Sequence, residues 1–307
     1  MIEGVYTAED PGPDTVEAGT FRRAKATIRN RITADGSSGF PAEAGRYHLY
    51  AAWNCPWAHR ALLALVEKGL TGAVGVSYAR PRRTSEGWVF DADGPYSDGL
   101  KRVSALHEVY GRDAAPYTGR VTVPVLWDRK TARIVSNESA DIVRMLNDAY
   151  PVPDLAPPDL RDEIDAWNVR IYRDVNNGVY RAGFARTQDA YDRAVAEVFA
   201  ALDEIEAVLE DWPYLCGDRY TEADLRLFPT LARFDVAYHY AFKCNLRRLV
   251  DYPNLWDYAR RIYHRPGVAA TVDFAIYKQG YFSESALRNP LGIVPVGPVI
   301  DWKLSNA

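Results

Sequence analysis

Two rhythms of apolar and polar positions divide the chain. Up to about residue 150, short apolar runs alternate with amphipathic stretches. Tyr47–Ala52 is aromatic and apolar, has neither glycine nor proline, and predicts a strand. Leu62, Leu63, Leu65 and Val66 fall in an alanine-rich run that predicts a helix directly after it. Ala73–Ala79 predicts a second strand parallel to the first. Leu100, Val103, Leu106 and Val109/Tyr110 share helical spacing and predict a helix over 97–110. Val121–Asp128 and Ala132–Ser136 predict a hairpin across Arg129-Lys130, and 137–146 a short helix.

That order, strand–helix–strand–helix–strand–strand–helix, is the order of a thioredoxin-like α/β domain. After the prolines at 151, 153, 157 and 158 the rhythm becomes purely helical. Leu160, Ile164, Trp167 and Ile171 step by 4, 3 and 4, and Ala194, Val198, Leu202, Ile205 and Leu209 repeat the pattern. Thr221 and Asp224 predict a capping box, with Tyr220 stapled onto Leu225. Val236–Phe242 and Leu255–Tyr263 continue the helices until Pro266-Gly267. The organisation read from these signals is an N-terminal extension (1–44), an α/β domain (45–150), a linker (151–158), an all-α domain (159–284) and a C-terminal tail (285–307). The extension has scattered Gly, Pro and charge (Asp10–Asp14, Asp35–Gly39), and its Phe21–Ile32 stretch is read as lying over a domain surface. The tail, Asn289–Pro298, reads as extended and too apolar to float free.

Composition narrows the class. The 307 residues are 48% hydrophobic and 25% charged with a net charge of −4, which suits two ordinary globular domains and gives no basic footprint for nucleic acid. No run is apolar enough to span a bilayer, and Met1–Asp10 does not read as a signal peptide. Three widely spaced cysteines argue against a disulfide framework or a zinc cluster and point to a reducing cytoplasm. The 20 tyrosines and 8 tryptophans supply stacking surface and hydroxyls.

The candidate chemistry sits where the first strand meets its helix. Pro56 occupies a first helical position, so Cys55 falls at the N-cap. Orphan N–H groups and the helix dipole favour an anion there, so a lowered thiol pKa and a nucleophilic sulfur are expected. The plain alternative is a cysteine that packs in the core. Three residues on, where dithiol oxidoreductases carry a second cysteine, stands Ala58. A disulfide on Cys55 must therefore be resolved by an outside thiol. Pro124, within a predicted strand, is either a cis proline with a backbone role or an edge-strand proline. Cys216 and Cys244 lack a helix-cap context and read as buried structural thiols, and His59 as a structural hydrogen-bonder.

A thioredoxin-like domain with such a proline, a Glu138-Ser139 helix start and a capped all-helical partner resembles a glutathione transferase. Cys55-Pro-Trp-Ala-His-Arg60, Gly87-Trp88-Val-Phe90, Asn176–Phe184, Arg233-Phe-Asp with Phe242–Asn245, and Asn289–Pro298 together resemble the glutathionyl-hydroquinone reductases of the Xi class. The resemblance implies a homodimer joined through the helical domains and removal of glutathione from glutathionyl-hydroquinones. It makes Cys55 the nucleophile, Tyr180 the proton donor and acceptor, and Tyr238 and Tyr281 hydroxyls near the sulfur; a lone tyrosine otherwise packs in a core. Glutathione, the co-substrate, is expected to pair with the Val123 backbone beside Pro124 and to set its γ-glutamyl carboxylate at Glu138-Ser139. Trp88 either contacts the peptide or covers a loop, and Arg120 can meet a carboxylate. No metal is implied. The alternatives are a monothiol thioltransferase of Omega or glutaredoxin-like type, the same chemistry with another small thiol, and a non-catalytic binding protein on this scaffold.

Overall fold

In the computed structural model, which describes residues 1–7, 16–113 and 115–303, the chain divides into two units. One is Met1–Pro13 with Ala24–Pro153, the other Asp14–Arg23 with Asp154–Ala307. The division falls inside the proline-rich stretch 151–158; the Asp10–Asp14 stretch lies outside the described residues. A short antiparallel ribbon, β1 (Val16–Glu17) with β2 (Thr20–Phe21), belongs to the second unit.

The first unit is built on β3 (Tyr47–Ala51), all five of whose side chains are buried. Then follow α1 (Pro56–Glu67), β4 (Gly75–Tyr78), α2 (Leu106–Gly111), β5 (Val125–Asp128), β6 (Arg133–Ser136) and α3 (Ser139–Ala149). The sheet order is β4-β3-β5-β6, with β4 parallel to β3 and the other pairs antiparallel. Leu49 lies between Val76 and Leu126. Helices α1 and α3 pack together, burying Leu62, Leu65, Ile142 and Leu146. Part of the Phe21–Ile32 stretch runs along the sheet edge: Arg29 bridges Ser136 and the Asn137 amide donates to the Ile28 carbonyl at 3.1 Å.

One predicted element is corrected. The helix expected over 97–110 is only α2, because the Asp98 carboxylate accepts the amides of Leu100 (3.0 Å), Arg102 (2.8 Å) and Val103 (3.1 Å), which a helix would need. Lys101 also sits at φ +50°, outside the helical region.

The second unit contains α4 (Arg161–Arg170), a π-helical turn at Ile171–Asn176, α5 (Gly178–Gly183), α6 (Gln188–Asp211) and α7 (Glu222–Arg233). A second π turn (Phe234–Tyr238), α8 (His239–Ala241), α9 (Pro253–Tyr263) and α10 (Phe274–Tyr281) complete it. The apolar stripe from Ala194 to Leu209 is buried along α6. The capping box forms at α7: Asp224 accepts the Thr221 amide at 2.8 Å and Thr221 Oγ1 the Ala223 amide at 3.3 Å. The tail is extended and tied to this unit: Lys278 Nζ donates to the Val296 carbonyl at 2.6 Å, Arg260 to the Lys303 carbonyl at 2.9 Å, and Trp302 is buried, while Leu291, Ile293, Val296 and Val299 are exposed within one chain. No helix among the described residues is long and apolar enough to cross a membrane.

Candidate active site

Cys55 caps α1 in extended conformation, with Pro56 behind it at the first helical position. The Ala58 amide donates to its sulfur at 3.5 Å, the orphan N–H that the strand–Cys–Pro–helix order calls for. The thiol is half-buried and stands 3.6 Å from the Val123 carbonyl, to which it can donate. N–H donation and the helix end favour the anionic sulfur, and the carbonyl favours the protonated one. Val123 is buried two residues before the start of β5, and its bond to Pro124 is cis.

The other half of this site opens α3. Glu138 is the N-cap: its carboxylate accepts the Ala140 amide at 3.0 Å and lies 3.4 Å from the Ser139 hydroxyl. The cap where a γ-glutamyl carboxylate was expected thus already holds this carboxylate. Tyr110 joins the two halves. Its buried phenol donates to the Thr122 carbonyl at 3.0 Å and accepts from Asn137 Nδ2 at 3.3 Å. Sequence reasoning saw Tyr110 only as a helix-face residue and missed Asn137, because a contact spanning 27 positions leaves no local pattern. Trp88 is half-buried, its carbonyl accepting the Leu106 amide at 2.8 Å, with Arg83 5.7 Å from its ring. Arg120 is half-buried, and its carbonyl accepts the Tyr117 hydroxyl at 2.9 Å.

In the helical unit the three tyrosines named from sequence come together. Tyr281 Oη lies 2.9 Å from Tyr180 Oη and 2.9 Å from Tyr238 Oη, a chain of three hydroxyls in which either atom of each pair can donate. Phe242 is the hub beneath them, with its ring 5.2 Å from Tyr180, 5.3 Å from Tyr238 and 5.6 Å from Tyr281. Burial pushes the Tyr238 and Tyr281 phenols well above their ordinary range, while the fully buried Arg233 guanidinium acts in the opposite direction on both. Such a chain holds protons and passes them along neutral hydroxyls. Cys216 and Cys244 are buried, and burial pushes each thiol up to about 12, so neither is a nucleophile. Among the described residues no group of three or more His, Cys, Asp or Glu side chains is placed to hold a metal.

An α/β unit with a lone N-cap cysteine, joined in one chain to a mainly helical unit, is the architecture of the glutathione transferases. Residues 54–149 match the family model of the glutathione S-transferase N-terminal domain and 188–261 that of the C-terminal domain. The chain is 45% identical to the glutathionyl-hydroquinone reductase YqjG of Escherichia coli K12, over 97% of this chain and 94% of that one. It is 44% identical to the glutathionyl-hydroquinone reductase PcpF of Sphingobium chlorophenolicum, over 97% and 96%. Glutathione-bound YqjG superposes with a TM-score of 0.89 at 43% identity, covering 98% of this chain and 96% of that one. A Xi class transferase from Natrialba magadii gives 0.88 at 42%, covering 94% of each. The chain belongs to the glutathione S-transferase family, in its Xi class of glutathionyl-hydroquinone reductases.

Proposed function

We propose that this protein reduces glutathionyl-hydroquinones with glutathione as co-substrate, through a mixed disulfide on Cys55. The observation that carries the reading is a half-buried sulfur at a helix N-cap, receiving the amide of Ala58 at the position where a resolving cysteine would stand. The Cys55 thiolate attacks the thioether sulfur. The aryl carbon–sulfur bond breaks, a sulfur–sulfur bond forms, and the ring carbon takes a proton. Tyr180 supplies that proton, and the hydroxyls of Tyr281 and Tyr238 complete its relay. A second glutathione thiolate then attacks the glutathione sulfur of the mixed disulfide, the Cys55 thiolate leaves, and oxidised glutathione departs.

Glutathione's cysteinyl backbone pairs with Val123 beside cis Pro124. Its γ-glutamyl group carries an ammonium, which the Glu138 carboxylate suits, and a carboxylate, which the Ser139 hydroxyl suits. Trp88 packs on the peptide and Arg120 meets its other carboxylate. The enzyme works as a homodimer in the cytoplasm, and the exposed apolar tail residues suit burial against a second copy. Sedimentation at micromolar concentration tests that state.

The deciding experiment compares a glutathionylated hydroquinone with glutathione disulfide in steady state, for the wild type and Cys55→Ser. The wild type turns over the hydroquinone, and Cys55→Ser loses about 10³-fold or more. Full turnover by Cys55→Ser ends the mechanism. Turnover of disulfides alone hands the site to a monothiol thioltransferase. Whole-protein mass spectrometry after incubation with candidate small thiols reads which one Cys55 accepts.

A further inference from the structure

The N-terminal segment supplies a side chain to the tyrosine chain. Strands β1 and β2 pair Val16 with Phe21 and Glu17 with Thr20, leaving a two-residue turn. Ala18 (φ +47°) and Gly19 (φ +79°) both lie in the left-handed region, the turn geometry that matches strand twist. A ribbon of two residues per strand is not stable by itself, so its conformation comes from docking. The docking is close. A Cβ on Gly19 would fall 2.5 Å from Thr187 Oγ1, and the Gly19 carbonyl accepts the Arg186 amide at 2.9 Å. Phe21 is buried, with its ring 5.1 Å from Phe184.

Two residues further on, Arg23 lies over Tyr180. Its Cζ is 4.6 Å from the ring centroid, and its Nε donates to Asn177 Oδ1 at 3.0 Å. The adjacent asparagines divide their tasks: Asn176 binds inward, to Thr230 Oγ1 at 2.6 Å, and Asn177 aims the guanidinium.

We infer that Arg23 is a positioning residue for proton donation by Tyr180: docked by the hairpin and aimed by Asn177, it holds the ring and stabilises the charge the ring acquires when its hydroxyl gives up the proton. The inference rests on the reading of Tyr180 given under Proposed function. A phenolate spreads its charge by resonance onto the ring carbons, so a cation over the face interacts more strongly with the phenolate than with the neutral ring. The proton leaves Tyr180 for the substrate carbon and returns through the neighbouring hydroxyls from solvent, and no electrons pass through Arg23.

The test is steady-state turnover of a glutathionylated hydroquinone by Arg23→Gln, Arg23→Lys and Arg22→Gln. Arg22 is an exposed residue paired with Glu17 at 2.7 Å and serves as the control on the same segment. Arg23→Gln is expected to lower kcat about tenfold with KM within about twofold of wild type, a tenfold rate being about 1.4 kcal/mol of barrier. Arg23→Lys recovers most of the rate because it restores the cation, and Arg22→Gln runs at the wild-type rate. Gly19→Val, which keeps the Arg23 side chain but displaces it by blocking the dock, is expected to reproduce the loss. Wild-type kcat in Arg23→Gln, or an Arg23→Lys as slow as Arg23→Gln, overturns the inference while the proposed function stands. A wild type that does not turn over the hydroquinone removes the function, and this inference with it.

Discussion

At the scale of single residues, the thiol site depends on a side chain that does no chemistry. Tyr110 is fully buried, and burial raises its phenol well above the usual range, so it is a neutral donor at every working pH. It spends that donor on the Thr122 carbonyl, one residue before Val123, and accepts from Asn137, one residue before Glu138. The Val123 backbone and the α3 cap are thereby held in register. Tyr110→Phe leaves the ring volume in place and removes these bonds together with the Thr122 amide's 3.4 Å bond to the same hydroxyl, at a cost of about 1–3 kcal/mol because the buried Asn137 Nδ2 loses its acceptor. The expected outcome is a lower urea midpoint together with a several-fold higher KM for glutathione and little change in kcat. A variant that loses stability but binds glutathione as the wild type does would show that Tyr110 only packs.

At the scale of elements, the tyrosine chain is set by turns that depart from the regular helix. One π turn ends at Asn176, just ahead of α5 and its Tyr180, and the other ends on Tyr238 itself; each inserts a residue and rotates the face that follows. The short helix α5 is then clamped by its glycines. A Cβ on Gly183 would fall 2.2 Å from Phe242 Cγ, and Phe242 touches all three tyrosine rings. Gly183→Ala is therefore expected to cost about 1–3 kcal/mol by overpacking. It should also lower kcat for the hydroquinone about tenfold, while alkylation of Cys55 by iodoacetamide keeps its rate; a thermal melt and the two rate measurements check this. The same elements separate what was legible from what was not. The strand–Cys55–Pro56–helix junction could be read because apolar runs, a proline at the first helical position and the cap are all local signals. The α7 capping box was legible for the same reason. The 97–110 helix was misread because Leu100, Val103 and Leu106 keep helical spacing while a single carboxylate, Asp98, takes the backbone amides elsewhere. The π turns could not be read, since a one-residue insertion in a helix leaves the apolar pattern nearly unchanged. Arg23 was invisible for a third reason: nothing near it in sequence indicates that Asn177 lies 154 residues away.

At the scale of the whole molecule, the response of stability to acid combines groups of opposite sign. Asp128 is buried, which alone would raise its pKa, but hydrogen bonds from Arg46 and Thr131 lower it; its contribution is present above the unfolded value of 3.8 and is lost below that. Asp224 and Asp235 are raised by burial, so the stability they contribute is greatest at low pH and is lost as pH rises through their folded values. His48 adds a change of its own between pH 6.5 and about pH 4. It is a buried residue of β3 with a ring nitrogen 2.7 Å from Ser77 Oγ, and Ser77 donates to Asp98 at 3.2 Å, the carboxylate that gathers the loop before α2. Burial lowers its pKa to about 4 from 6.5. Below pH 6.5 the unfolded chain takes up a proton that the folded chain refuses until about pH 4, so the stability His48 supplies is lost as pH falls through that window. With each tenfold change in proton affinity at ~1.4 kcal/mol, the full effect is on the order of 3 kcal/mol. Because the aspartates obscure it in the wild-type curve, the measurement is a difference: urea unfolding of wild type and His48→Gln at intervals from pH 7 to pH 4. The advantage of the wild type should shrink steadily across the window, and the first unit should lose its order at a higher pH than the variant's remaining charges would dictate. A constant difference from pH 7 to pH 4 would mean that the imidazole is protonated as readily in the folded chain as in the unfolded one, and the proposed contribution of His48 would not exist.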